Sequence, residues 1–532
     1  MADHGRSHGF DTRDRTIDDI HQELFSGKVS CRQVVEAYLA RIVEHNSRIN
    51  AIISLNPHAL AIADELDVRL AAGEETGTLF GIPILLKDNY DMVGMKTTGA
   101  CLALADSQPT EDAPTTAALK RAGAVILGKA SMHELALEGL SVSSLGGQVI
   151  NPFSAERTPG GSSGGSAAAI AASFAVFATG TDTVNSLRSP ASANSLFSCR
   201  PTRGLVSRNG IIPISYTQDA LGPIARTVKD VAIALRVLAS VGFDARDDAT
   251  TSVPSSLSNV DYAANVSTGS LKGLRLGRVN GFFSGEDENE TTPVNDAMAG
   301  MMSVLQAAGA TIVEVNESFY NASRILAELD TQRFEYREAM DAYLQRPGLA
   351  GSHPRTLKEL YGSGQFLVIP TQYEYVNTAL TTSSSNDVYN VVQRGISDLT
   401  LAVGKTFQTL NLDALVYPEQ KNLVVKIGSP SQAGRNGILA ALTGFPVVTV
   451  PAGFSPPNAE APIGVPIGME IMGMPWTEER LLQIAYQVEQ HTHLRRAPPC
   501  AHDFIKSTRM ENVPSVVPNT ANISTVYPMG IL

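Results

Sequence analysis

Residues 158–172 read TPGGSSGGSAAAIAA, and this run constrains the fold more than any other part of the chain. Glycine and serine alone make flexible coil and would serve as a linker. A linker, however, has no reason to run straight into an alanine-rich helix, and a helix of such small side chains is one that its neighbours pack against closely. The other reading is a loop whose backbone N–H groups face a ligand, assisted by the partial positive charge of a helix N-terminus. The run lacks the Gly-Lys-Ser/Thr ending of a phosphate-binding loop, which argues against nucleotide. Gly160-x-Ser162-x-Gly164 matches the nucleophile elbow of α/β-hydrolases. An elbow needs a buried strand just before its serine, and the preceding NPFSAERTP is polar with two prolines.

The flanking sequence alternates helix and strand. Thr16 and Asp19 fit a capping box ahead of an apolar stripe of Ile17, Ile20, Leu24 and Phe25. Ser30 caps a second amphipathic helix, and a third covers about 57–72. GIPILLKDN is a short apolar run read as a buried strand that ends in charge, and TTAALKRAGAVILGKA is a helix followed by a strand. FAVFATGTDT continues the pattern as a strand running into a loop. The rhythm returns at LKGLRLGRV, TPVNDAMAGMMSVLQAAG and ATIVEV, and then again at DALVYP, FPVVTVPAGF and PIGMEIMG, with TEERLLQIAYQVEQHT as a late helix. Residues 317–410 are expected to be mostly helical. With no repeat and no clear linker, one large α/β unit over residues 16–500 is expected, with a flexible N-terminus (1–15) and a polar tail (501–532) that wraps the surface or is partly disordered.

Forty-one basic against 53 acidic side chains leave a net charge of −12 over 532 residues, which argues against nonspecific binding to nucleic acid or anionic membrane. Apolar residues at 43 % exclude global disorder. Cys31, Cys101, Cys199 and Cys500 are widely separated, with no metal-ligand or disulfide pattern. The first ten residues lack the apolar run of a secretory signal, and no stretch is long enough to span a membrane. A cytoplasmic protein with no cofactor is expected.

Two polar positions stand out. Lys87 ends the apolar run of LLKDN, where desolvation would lower an amine's pKa and make it a base. Ser186 lies in GTDTVNSLRSPA, a polar loop after a strand, bracketed by Asp182 and Arg188. His353 and His491 lie in no triad context. Together, GIPILLKDN, GQVINPFSAERTPGGSSGGSAAAIA, GTDTVNSLRSPAS, QDALGPIARTVKD and TGFPVVTVPAGF…PIGMEIMG resemble the amidase signature family over roughly residues 16–500, with a leaning toward its peptide-amidase-like branch.

The resemblance implies a single α/β/α fold with a mixed central sheet flanked by helices. It also implies hydrolysis of a small-molecule or peptide carboxamide through a serine acyl-enzyme, without metal or cofactor. Ser186 would be the nucleophile. Ser162, following a non-proline cis peptide from Gly161, would bridge it to a neutral Lys87. Backbone N–H groups of Thr183, Val184, Asn185 and Ser186 would form the oxyanion hole, with Met132 also at the substrate. Residues 317–410 would line the acyl pocket. One departure is visible: Val184-Asn185 stands where the family has Gly-Gly, so positive φ would be strained at Val184 and two side chains would crowd the acyl site. The rival readings are an amidotransferase component that passes ammonia to a charged tRNA and an inactive homologue serving as a scaffold. A homodimer is compatible with all of these.

Overall fold

The computed structural model describes residues 9–257 and 260–530. Its centre is an eleven-stranded sheet. In chain order its strands are β1 (Ile52–Leu55), β2 (Pro83–Lys87), β3 (Val125–Ala130), β4 (Phe177–Asp182), β5 (Phe197–Arg200) and β6 (Ala220–Ala225). They continue with β7 (Arg275–Val279), β8 (Thr311–Val315), β9 (Ala414–Pro418), β10 (Val447–Phe454) and β11 (Pro466–Met472). Across the sheet they run β1-β3-β2-β4-β6-β5-β10-β11-β9-β7-β8. β2 is parallel to both β3 and β4, and β7 is parallel to both β8 and β9, while the strands between them pair antiparallel. The sheet is therefore mixed. Strands covered on both faces are apolar throughout rather than alternating, and every residue of β2 is buried.

The expected helices and strands form. Thr16 and Asp19 make their capping box, and Ser30 makes a second one with Gln33. The alanine-rich helix spans Gly164–Ala171, and all of its residues are buried. It packs on β2, β3, β4 and β6, so close that a Cβ on Gly165 would lie 2.0 Å from the Ser131 carbonyl oxygen. The small side chains thus answer to backbone passing directly over the helix. Gly165→Ala is expected to lower stability by about 1–3 kcal/mol or more through overpacking, read as a shift in the midpoint of chemical unfolding.

The first and last described segments lie against this body. From residue 9 onward the segment is seated, with Phe10 5 % exposed beside Tyr38; residues 1–8 of the segment expected to be flexible lie outside the described residues. The tail is a wrap. Asn519 N–H donates to Asn50 Oδ1 at 3.0 Å, Asn522 Nδ2 to the Gln148 carbonyl at 2.8 Å, and Val368 N–H to the Pro528 carbonyl at 2.8 Å. No helix among the described residues is long and apolar enough to cross a membrane.

Candidate active site

Lys87 ends β2, and the loop carrying residues 183–187 follows β4, its parallel neighbour. Both therefore sit at carboxyl ends of adjacent parallel strands, where open α/β sheets place their ligands. The third element, Ser162, comes from the turn before the alanine-rich helix, after a cis Gly161–Ser162 peptide bond. Ser163 ties that turn to the other two elements. Its N–H donates to the Ser186 carbonyl at 3.3 Å, its Oγ donates to the Thr181 carbonyl at 3.3 Å, and it accepts the Thr181 N–H at 3.4 Å. No strand runs directly into Ser162, since residues 158–160 carry no regular structure, which removes the hydrolase-elbow reading.

Lys87 is fully buried, and its Nζ lies 2.7 Å from both Ser162 Oγ and Thr181 Oγ1. No carboxylate of the described residues forms an ion pair with it. Burial pulls its pKa down to about 7, against a weaker opposing pull from Asp182 and Asp219. A substantial neutral fraction exists at neutral pH, and a neutral amine can take a proton from the hydroxyl it touches.

Ser186 is 7 % exposed and lines a cavity of about 170 Å³ with Thr183, Val184, Glu138, Gln372 and Tyr375. Its Oγ makes no side-chain hydrogen bond among the described residues, so the Lys87–Ser162 link is formed and a Ser162–Ser186 link is not. The backbone N–H groups of Thr183, Val184, Asn185 and Ser186 donate to no acceptor among the described residues. Four adjacent free donors beside a serine hydroxyl are the raw material of an oxyanion hole.

Beneath this loop lies a buried ionic network. Asp182 accepts from Leu187 N–H at 3.0 Å and pairs with Arg188 at 3.1 Å and Arg200 at 2.7 Å, while Arg188 also reaches Glu470 at 2.8 Å. Burial by itself would raise the Asp182 carboxyl, but the two guanidiniums overcome it and hold the pKa at about 2. Arg188 also donates to the carbonyls of Val184 and Gly437. A charged donor thus fixes the Val184 carbonyl and with it the loop's conformation.

The expected strain at Val184 is absent: neither Val184 nor Asn185 has a positive φ. The room for their side chains comes from across the loop, where a Cβ on Gly437 would fall 2.5 Å from both Asn185 Cβ and the Val184 carbonyl oxygen. Asn185 does not line the cavity; its Nδ2 donates to buried Glu419 Oε1 at 2.7 Å. Burial, reinforced by Glu470, raises Glu419 to about 8. Of the crowding expected from two side chains, only Val184 reaches the cavity wall. Met132, expected at the substrate, is fully buried in an apolar cluster with Leu135, Ile212 and Tyr336 and does not line the cavity.

As expected, much of the cavity wall comes from 317–410: Leu326, Asp330, Gln332, Thr371, Gln372 and Tyr375. Sequence reading did not single out any of these, nor His133, whose N–H donates to the Ser162 carbonyl at 3.0 Å and whose Nε2 lies 2.9 Å from Gln372 Oε1. Burial lowers His133 to about 4, so it is neutral. The signal for it was weak, a single histidine in an apolar stretch. A larger surface groove of about 720 Å³, between Asp287–Asp296 and Ser455–Glu460, carries none of Lys87, Ser162 or Ser186.

Comparison with known proteins agrees with this architecture. The sequence model of the amidase family matches residues 33–482. A glutamyl-tRNA(Gln) amidotransferase chain of Acinetobacter baumannii is 34 % identical over 515 residues, covering 91 % of this chain and 97 % of the relative. Its counterpart from Geobacillus stearothermophilus is 32 % identical over 511 residues, covering 91 % and 99 %. The crystal structure of native peptide amidase from Stenotrophomonas maltophilia matches with a TM-score of 0.77 at 32 % identity, covering 91 % of this chain and 98 % of that one. These relatives mark the chain as an enzyme acting on carbon–nitrogen bonds. The chain belongs to the amidase family.

Proposed function

We propose that the chain is an amidohydrolase that cleaves a small carboxamide to a carboxylate and ammonia or an amine, with Ser186 as nucleophile. The observation that carries this reading is the fully buried Lys87 amine, 2.7 Å from Ser162 Oγ, with no carboxylate of the described residues paired to it. Ser186 Oγ attacks the amide carbon and passes its proton to Ser162, whose own proton moves to Lys87 Nζ. The Ser162–Ser186 contact is one that substrate binding must close, since catalytic hydrogen bonds are often loose before substrate arrives. The carbonyl oxygen becomes an oxyanion held by N–H groups of residues 183–186. When the tetrahedral intermediate collapses, the nitrogen leaves with the proton returned from Lys87 through Ser162. Water then attacks the acyl-enzyme by the same relay.

The cavity of about 170 Å³ supports a small acyl group, since pockets for drug-sized ligands run to about 300–1,000 Å³. A second reading, one component of an amidotransferase, is favoured by the 34 % identity to the glutamyl-tRNA(Gln) amidotransferase chain. The test is ammonia release by the purified chain alone from a panel of primary amides, anilides, peptide amides and glutamine. Turnover of simple amides without a companion protein is the expected result. Glutamine hydrolysis that appears only with a companion protein would favour the second reading.

A further inference from the structure

Three charged side chains line the cavity that holds Ser186: Glu138, Asp330 and Arg435. Two of them neutralise each other, with Arg435 Nη2 3.4 Å from Glu138 Oε1. That carboxylate is further committed to the N–H groups of Gly139 at 2.9 Å and Gln432 at 3.2 Å. Asp330 is left over. Its Oδ1 accepts from Gln332 N–H at 3.2 Å and Gln332 Nε2 at 2.8 Å, while Oδ2 has no partner among the described residues. Arg333, close along the chain, lies over the Phe334 ring at 4.9 Å and forms no ion pair with Asp330. A carboxylate in a confined, partly desolvated wall with no ion-pair contact is costly, the charge of Arg333 offsetting only part of that cost, and a cation delivered by a ligand removes more of it. Burial accordingly raises the Asp330 carboxyl pKa.

Gln372 gives independent evidence that a polar ligand belongs here. It is 4 % exposed, and His133 engages its Oε1 at 2.9 Å, so its Nε2 donor is left buried and unpartnered on the cavity wall. Tyr375, on the same wall, also has a buried hydroxyl without a partner among the described residues. Buried donors are nearly always satisfied, and an orphan in a cavity wall points to the group that occupies the cavity. Here that group is an oxygen acceptor, a carbonyl or hydroxyl of the ligand.

From this wall we infer that the enzyme's preferred substrates are aminoacyl amides whose ammonium pairs with Asp330, the scissile carbonyl going to the N–H groups of residues 183–186 and a side-chain oxygen of the acyl group, where it carries one, accepting from Gln372. The inference rests on the proposed entry of the acyl group beside Ser186. Alaninamide and isobutyramide form a matched pair, because they differ only in an ammonium replaced by a methyl. At pH 7 the wild type is expected to favour alaninamide in kcat/KM by about tenfold or more. Asp330→Asn is expected to bring that ratio close to one. Equal turnover of the two amides by the wild type, or an Asp330→Asn loss that leaves the ratio unchanged, would overturn the inference and leave the amidase reading standing. Calorimetric titration of the Ser186→Ala protein with the same two amides reads the preference without turnover. Tighter binding of alaninamide there, lost on adding Asp330→Asn, supports the subsite even if the hydrolytic reading fails. Equal or undetectable binding of both amides contradicts it.

Discussion

Replacing Ser186 with alanine is expected to abolish amide turnover while leaving the fold intact. If Ser186 is the nucleophile, its loss removes the acyl-enzyme route altogether. Comparable nucleophile deletions lower kcat by a factor on the order of 10⁶. The N–H groups of residues 183–186 survive the change because they are backbone groups, but with no nucleophile beside them turnover is expected to fall below detection. Stability should barely move: Ser186 Oγ makes no side-chain hydrogen bond among the described residues, and the ionic network that shapes the loop runs through Asp182, Arg188 and Arg200. The checks are turnover on one good amide, the unfolding midpoint, and covalent labelling by a fluorophosphonate followed by peptide mapping. Loss of activity and label with an unchanged midpoint is the expected set. Labelling retained at Ser162 would show that the nucleophile is the other serine.

Replacing Lys87 is expected to have the next largest effect. Lys87→Ala removes the amine that contacts Ser162, and general-base contributions of this kind reach on the order of 10⁴ in rate. It also leaves Ser162 Oγ and Thr181 Oγ1 without their shared partner, each of which sits 2.7 Å from Nζ in the native site. Lys87→Arg should not recover the rate. A guanidinium stays protonated at any pH the protein survives, so it supplies charge and hydrogen bonds but no base. Its planar head is also too large for a fully enclosed site. The measurement is single-turnover acylation with an amide and with its matching ester. The ester is expected to suffer less, because its leaving group needs less help from the returning proton.

How much of this was legible beforehand depended on whether the information was local. The strand PILLK, the capping box at Thr16, the helix cap at Ser30 and the alanine-rich helix are local patterns, and each formed as read. Lys87 was visible because an amine at the end of an apolar run is out of place. The tight crossing that demands glycine at 165 was hinted at by composition, but its partner, the Ser131 carbonyl, could not be inferred. The error at Val184 has the same origin. Gly-Gly replaced by Val-Asn reads as strain when only the loop is considered, yet Gly437, far along the chain, yields the space and Glu419 takes the Asn185 side chain. The cavity wall was located to its segment but not to its residues. Asp330 and Gln372 look like ordinary helical polar residues until the fold brings them beside Ser186 and leaves polar atoms of both without partners.

The central claim, a neutral lysine acting through Ser162 on Ser186, is tested most directly by kcat/KM against pH for the wild type, Lys87→Ala and Lys87→Arg on one amide without ionising groups. Because Lys87 must lose its proton before it can accept one, and burial sets its pKa at about 7, the wild-type curve should rise through pH 7 and level off above it. Glu419 also titrates near the loop, at about 8, so the wild-type curve alone does not identify the group. The two variants do: both should be slow, and neither should retain the limb near pH 7. A Lys87→Arg enzyme with near wild-type activity and the same rising limb would show that the lysine is structural, and the relay would be contradicted.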